Sequence, residues 1–76
     1  MAPEPPIAFT EYALMRMHQR DIGEDEVRAA LAAPSSRHRR RNDGRSEASQ
    51  RFGRRVLLVV YRRDRAGITV INAMWE

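Results

Sequence analysis

Apolar residues in the first part of the chain recur at helical spacing. Phe9, Ala13 and Met17 follow one another at intervals of four residues, which places them on one side of a helix. Thr10 is a favourable N-cap residue, so the pattern predicts a helix that begins there. The helix is expected to end at Arg20, before the sequence Asp-Ile-Gly.

A second helix is predicted over residues 24–33. Val27, Ala30 and Leu31 form its apolar side, and three consecutive acidic residues occupy its first turn. Carboxylates at that end are favourable because the helix dipole is positive there. Pro34 cannot continue a helix and ends it.

Beyond Pro34 the apolar period changes to two, which is typical of strands. Segments 37–41 and 46–52 flank an Asp-Gly pair, a strong hairpin turn signal, and a second turn is expected at Gly53. The run 56–61, Val-Leu-Leu-Val-Val-Tyr, predicts a central strand covered on both faces. A final strand is predicted over residues 68–75.

These elements predict an α+β fold, with two N-terminal helices packed on a roughly four-stranded antiparallel sheet. A short strand at Ile7–Phe9 could join the edge of this sheet. Residues 1–6 are rich in proline and are expected to be disordered, whereas residues 7–76 form a single domain. A domain this small buries little surface, so a partner chain or a homodimer is expected.

Charge is concentrated in the middle of the chain. All fourteen basic residues are arginines, and residues 37–63 hold ten of them against two acids, a net charge of +8. The segments 1–36 and 64–76 carry −3 and −1. Such asymmetry indicates an anionic partner, most often nucleic acid.

Several other classes of protein are disfavoured by composition. The absence of cysteine excludes disulfides and thiolate zinc sites, and it fits a cytoplasmic location. The longest apolar run is far shorter than a membrane span, so no membrane partner is expected. Two histidines without a nearby acid make a poor metal site, and neither a metal nor a cofactor is predicted.

The sequence YALMRMHQRDIGEDEVRAAL, residues 12–31, resembles the motif of the family called domain of unknown function 4258. That motif reads His-Ala-x-x-Arg-Met-x-x-Arg-Gly-Ile, then four residues, Val, two residues and Ala-Leu. Tyr12 stands in place of the histidine and Asp21 in place of the glycine. The later stretch RVLLVVYRRDRAGITVINAMW is similar to the family's closing hairpin, so the resemblance covers roughly residues 9–75.

The family is similar in shape to compact toxins of the RelE, ParE and BrnT kind. The resemblance therefore implies a RelE/BrnT-like fold. It also implies a toxin that cleaves mRNA or poisons gyrase and that an antitoxin protein neutralises. The expected partners are thus RNA, either free or as ribosome-bound mRNA, and an antitoxin protein.

Metal-independent RNA cleavage needs a base, an acid and cations that stabilise charge on phosphorus. The predicted catalytic residues are His38, Tyr61 and Arg63. Imidazole titrates near neutral pH, and Tyr61 and Arg63 share one face of a strand because they are two residues apart. The predicted nucleic-acid-binding residues are Arg37, Arg39, Arg40, Arg41, Arg45, Arg51, Arg54, Arg62, Tyr12, Arg16 and Arg20.

Two alternatives to a ribonuclease share the same arginines. A non-catalytic nucleic-acid-binding module would need the cations but no acid or base. A protein-interaction domain would use them to dock an acidic partner. In a purely structural reading, the charges of residues 37–41 prevent sheet-to-sheet aggregation at an edge strand, and His38 is a surface residue.

Overall fold

Two helices and five strands make up the described part of the chain, residues 5–76 of a computed structural model. In chain order they are β1 (Ile7–Phe9), α1 (Glu11–Gln19), α2 (Glu24–Ala32), β2 (Arg37–Arg40), β3 (Ser46–Phe52), β4 (Arg55–Asp64) and β5 (Gly67–Trp75). The predicted disorder of residues 1–6 falls mostly on residues 1–4, which lie outside this part.

Both helices begin where the sequence predicts. Thr10 caps α1, and its Oγ1 accepts a hydrogen bond from the Ala13 amide at 3.0 Å. At the start of α2, the Glu26 carboxylate accepts a hydrogen bond from the Gly23 amide, also at 3.0 Å. Each contact satisfies an amide that has no partner within its own helix. The end of α2 at Ala32 is one residue earlier than predicted.

The end of α1 explains one departure from the family motif. The Ile22 amide donates to the Met17 carbonyl at 2.9 Å and the Asp21 amide to the His18 carbonyl at 3.3 Å, which together form a Schellman cap. Such a cap needs a left-handed residue, and Asp21 has a φ of +56°. Glycine adopts this conformation without a steric cost, which accounts for the glycine of the motif.

Replacing Asp21 by glycine is therefore expected to stabilise the protein. A left-handed backbone conformation destabilises a residue with a side chain by about 1–2 kcal/mol, and glycine at position 21 would relieve this strain. Part of the resulting stabilisation is lost because glycine has greater conformational freedom in the unfolded chain. We expect the free energy of unfolding, measured in urea, to rise by about 0.5–1 kcal/mol. The control Ala29→Gly, on the exposed side of α2, should lower it by a similar amount. Loss of stability in both variants would contradict the explanation.

The sheet has the strand order β1-β5-β4-β3-β2. Strands β2 to β5 are antiparallel, as predicted, and the possible edge strand at Ile7–Phe9 is confirmed as β1. The predicted strand number and orientation are wrong for the sheet as a whole, because β1 pairs with β5 in parallel, with Ile7 opposite Ile68 and Phe9 opposite Val70. The helices consequently follow a strand instead of opening the domain. Parallel pairing requires a long crossover connection, and here both helices lie in that connection.

Both predicted hairpin turns are confirmed. Between β2 and β3 the Arg41 amide donates to the Arg45 carbonyl at 2.7 Å, and Gly44 has a φ of +84°. Between β3 and β4, Gly53 has a φ of +63°, and Phe52 lies opposite Arg55. These turns fix the pairing register of the three strands.

Alternate side chains of β4 point to opposite sides of the sheet. Leu57, Val59 and Tyr61 belong to the core that both helices cover, and we call this side the covered face. Val56, Leu58 and Val60 point to the other side, the open face, on which no element of residues 5–76 packs. The prediction that this strand is covered on both faces is therefore wrong for the described part, because both helices lie on the same side.

Candidate functional site

The two predicted acid–base residues meet although 23 positions separate them in the chain. His38 Nδ1 lies 3.0 Å from the Tyr61 hydroxyl, which is a hydrogen bond. The rings are nearly perpendicular, with an interplanar angle of 85° and centroids 6.2 Å apart. The contact joins β2 to β4 across the intervening strand β3.

Small side chains on β3 make this contact feasible. His38 lies opposite Ala48, and Tyr61 lies opposite Ser46, so all four side chains point to the covered face. Strands β2 and β4 are separated by about 10 Å, twice the spacing of neighbouring strands, and an imidazole and a phenol together span that gap. A large side chain at position 46 or 48 would lie between them.

The two partners differ in exposure. Tyr61 is 7% exposed and packed in the core, so its hydroxyl has a fixed position. His38 lies on the edge strand and is exposed. The hydrogen bond occupies Nδ1 and leaves Nε2, the other ring nitrogen, to contact a substrate. The arrangement is that of an exposed imidazole oriented by a buried hydroxyl.

Two arginines share the covered face with this pair. Arg40 is two residues from His38 and lies opposite Ser46, the neighbour of Tyr61 in the same cross-strand row. Arg63 is two residues from Tyr61 on β4 and borders a surface hollow of about 270 Å³. Both side chains are exposed. Of the three predicted catalytic residues, His38 and Tyr61 are in contact, and Arg63 lies on the same face.

The predicted nucleic-acid-binding arginines do not form one surface. Alternation along the strands places Arg40 on the covered face and four others on the open face, namely Arg37, Arg39, Arg51 and Arg62. Arg54 lies in the turn between β3 and β4. The arginine block of the sequence is therefore divided between two sides of the sheet.

Arg41 and Arg45 lie beside carboxylates of the same hairpin. Arg41 Nη1 is 3.5 Å from the Glu47 carboxylate, and both arginines approach the Asp43 carboxylate at 4.0 Å. The hydrogen bond from the Arg45 amide, together with these positive charges, lowers the pKa of Asp43 below its ordinary 3.8. At neutral pH these carboxylates offset part of the positive charge of the loop.

The arginines of the first helix have contacts of their own. The Arg20 guanidinium donates to the Asn72 side chain at 3.0 Å and to the Ala73 carbonyl at 2.9 Å, which joins the end of α1 to β5. Arg16 lies over the ring of Tyr12, 5.8 Å from its centroid. The nucleic-acid-binding role predicted for these residues stays a prediction, and Arg20 also has a clear structural role.

The sequence reasoning missed the importance of Ser46 and Ala48. The sequence signal that could have identified them is the stretch Ser-Glu-Ala-Ser-Gln, in which small residues occupy alternate positions. This strand lies between the strands that carry His38 and Tyr61. It also missed the stacking of Arg55 on Trp75, at 3.9 Å from the ring centroid. That contact closes the edge of the core.

Among residues 5–76, no three histidine or acidic side chains are close enough to hold a metal ion. Both α1 and α2 are too short and too polar to span a membrane.

The fold and site define a class of small α+β domain, with two helices on one face of a five-stranded mixed sheet and a His–Tyr pair at the rim of that face. The family model described as domain of unknown function (DUF4258) matches residues 9–75. The chain belongs to this family. No curated protein and no solved structure matches the chain, so the likeness to RelE-type toxins is not confirmed.

Proposed function

We propose that the chain is a metal-independent ribonuclease whose reactive group is His38. The observation that carries this proposal is the 3.0 Å hydrogen bond between His38 Nδ1 and the buried Tyr61 hydroxyl. A surface histidine without a catalytic role does not need a buried partner that fixes its ring. A general base does, because its lone pair must be aimed at the proton it removes.

The chemistry follows from the free ring nitrogen. With Nδ1–H donating to the Tyr61 oxygen, Nε2 carries a lone pair and removes the proton from an RNA 2′-hydroxyl. The resulting O2′ attacks the adjacent phosphorus, and the bond from phosphorus to O5′ breaks. The products are a 2′,3′-cyclic phosphate and a 5′-hydroxyl that takes its proton from solvent. The Nδ1–H bond to Tyr61 also stabilises the imidazolium that forms.

Arg40 and Arg63 supply the cations that this reaction needs. Negative charge increases on the non-bridging phosphoryl oxygens as O2′ attacks, and guanidinium groups donate paired hydrogen bonds to such oxygens. Both arginines are exposed and lie on the same face as the His38–Tyr61 pair. Because Tyr61 is buried and contacts His38, we assign it a positioning role in this proposal, whereas the sequence analysis predicts it as a catalytic residue.

In the cell, we propose that the protein is a RelE/BrnT-like toxin controlled by an antitoxin protein. The support is the sequence resemblance together with the basic block of residues 37–63. Controlled expression should arrest growth, and purified protein should cut mRNA, either free or on ribosomes. Intact mRNA in both settings, together with normal growth, would refute the enzyme and the toxin.

A second candidate, a nucleic-acid-binding module without catalysis, is favoured by the exposed arginines on both faces of the sheet. The affinity for RNA would then be unchanged by substitution of His38. It would fall steeply as the salt concentration rises, because each phosphate contact releases counterions. RNA that is bound and recovered intact would identify this function.

A further inference from the structure

The open face combines an aliphatic centre with a surrounding arginine rim, formed by Arg37, Arg39, Arg51 and Arg62. Val56, Leu58 and Val60 project from β4, and Met74 lies opposite Leu58 on β5. Val60 is 4% exposed although it is outside the core cluster, and the other three are half-buried. Neither helix reaches this side, so the half-buried side chains of Val56, Leu58 and Met74 form a partly exposed apolar strip, in which Val60 is buried.

The residue pattern of this strip differs from that of an antiparallel sheet with one face in water. Strands that face water on one side alternate apolar and polar residues, whereas continuous apolar strands are covered on both faces. Positions 56–61 are apolar throughout, yet the helices cover only one side of them. The sequence of β4 is therefore suited to a second cover that residues 5–76 do not provide.

The charge of the rim indicates the chemistry of a partner that would pack on the open face. Arg37, Arg39, Arg51 and Arg62 project from the open face, and all four are exposed. Three acids lie on the same side. The Glu47 carboxylate lies 3.5 Å from Arg41, the Asp64 carboxylate accepts hydrogen bonds from the Ala66 and Gly67 amides, and Glu76 borders a hollow shared with Arg37 and Arg51. The positive rim predicts a partner with an apolar centre and an acidic border.

Nucleic acid fits this face poorly. Proteins that bind single strands on a sheet stack the bases on aromatic side chains. Here Phe9, Phe52, Tyr61 and Trp75 all belong to the covered face or its edge, and Tyr12 lies on α1. A second copy of the chain is also disfavoured, because two positive rims would face each other.

We infer that the open face docks an acidic amphipathic helix of a partner protein. Such a helix would complete a third layer, in the way that α1 and α2 cover the other side. This inference does not depend on the proposed ribonuclease, since it uses the opposite face of the sheet. It leaves the His38–Tyr61 pair accessible while the partner is bound.

The test uses isotope-labelled full-length protein and designed peptides of about 18 residues, or five helical turns. One peptide has leucines along one side of the helix and glutamates beside them. A second has the same composition with the leucines dispersed, and a third has lysine in place of glutamate. Binding is measured by calorimetry, and the site is located from the backbone amide signals in NMR spectra.

We expect the acidic amphipathic peptide to bind and to shift the signals of Leu58, Val60 and Met74. The double substitution Arg37→Glu/Arg51→Glu should lower the affinity for this peptide about tenfold or more, equivalent to 1.4 kcal/mol. The control Arg65→Glu, in the β4–β5 turn, should leave the affinity unchanged. The dispersed and lysine peptides should bind more weakly than the acidic amphipathic one. His38→Gln should bind normally, whether or not the protein cleaves RNA.

Several results would overturn the inference. They are absence of binding by the acidic amphipathic peptide, equal affinity for the dispersed peptide, or equal affinity in the Arg37→Glu/Arg51→Glu variant. Shifts confined to α1, where Tyr12, Leu14 and Met15 are exposed, would place the site elsewhere. Shifts of the open face caused by RNA, or by dimerisation of the protein alone, would assign that face to a different partner.

Discussion

Substitution of His38 by glutamine is expected to slow RNA cleavage by about 10²–10⁴-fold, the usual contribution of a general base. Glutamine keeps a polar group of similar length but cannot accept the proton of the 2′-hydroxyl. The fold should be unaffected, because His38 is exposed on an edge strand and contributes to no core contact beyond its bond to Tyr61. Single-turnover rates on an RNA oligonucleotide measure the effect.

Tyr61→Phe separates the positioning role from the catalytic one. It removes only the hydroxyl and keeps the buried ring, so we expect cleavage to fall about tenfold, as for the loss of one hydrogen bond. The value of kcat should fall with KM unchanged, and the Nδ1 resonance of His38 should shift in nitrogen NMR spectra. The resonance shift verifies that the hydrogen bond is lost, and an unchanged kcat in the same variant would show that Tyr61 has no positioning role in cleavage.

His18→Gln is the matched control for both variants. His18 is exposed on α1 and belongs to none of the proposed sites, so its replacement should leave the rate unchanged. If His18→Gln and His38→Gln cleave RNA equally well, the His38–Tyr61 pair is not the reactive centre.

The second large effect concerns the junction of β1 and β5. Gly67 has a φ of +138°, and a Cβ added there would overlap the carbonyl oxygen of Pro6 and lie 3.2 Å from the carbonyl carbon. That carbonyl accepts the Ile68 amide at 2.9 Å, the contact that begins the parallel pairing. Gly67→Ala combines backbone strain of about 1–3 kcal/mol with loss of this bond, about 1 kcal/mol more.

We therefore expect Gly67→Ala to lower the free energy of unfolding by about 2–4 kcal/mol, a large part of the stability of a small domain. Gly53→Ala is the control, because Gly53 also has a positive φ of +63° but has nothing within 4 Å of an added Cβ. It should cost about 1–2 kcal/mol through backbone conformation alone. Equal losses in urea unfolding would show that the contact with Pro6 has no part in stability.

Local signals predicted most of the secondary structure. Thr10, Pro34 and the Asp-Gly pair each act on their own neighbours, so their effects are readable from the sequence alone. The family motif covers the same two helices, and it contains the glycine that Asp21 replaces in a left-handed position.

Contacts that depend on strand register were not readable in the same way. The parallel pairing of β1, the division of the arginines between two faces and the distance between His38 and Tyr61 all follow from which residues lie opposite one another. A shift of one residue moves every side chain of a strand to the other face. The sequence singled out His38 and Tyr61 by their chemistry, but only the strand register brings them into contact.

The most direct test of the account is the chemistry of the RNA ends produced by the full chain in the presence of EDTA. We expect fragments with a 2′,3′-cyclic phosphate and a 5′-hydroxyl, and no cleavage at a position where the 2′-hydroxyl is replaced by hydrogen. RNA that stays intact, or a 2′-deoxy position that is cut as fast as the natural one, would contradict it.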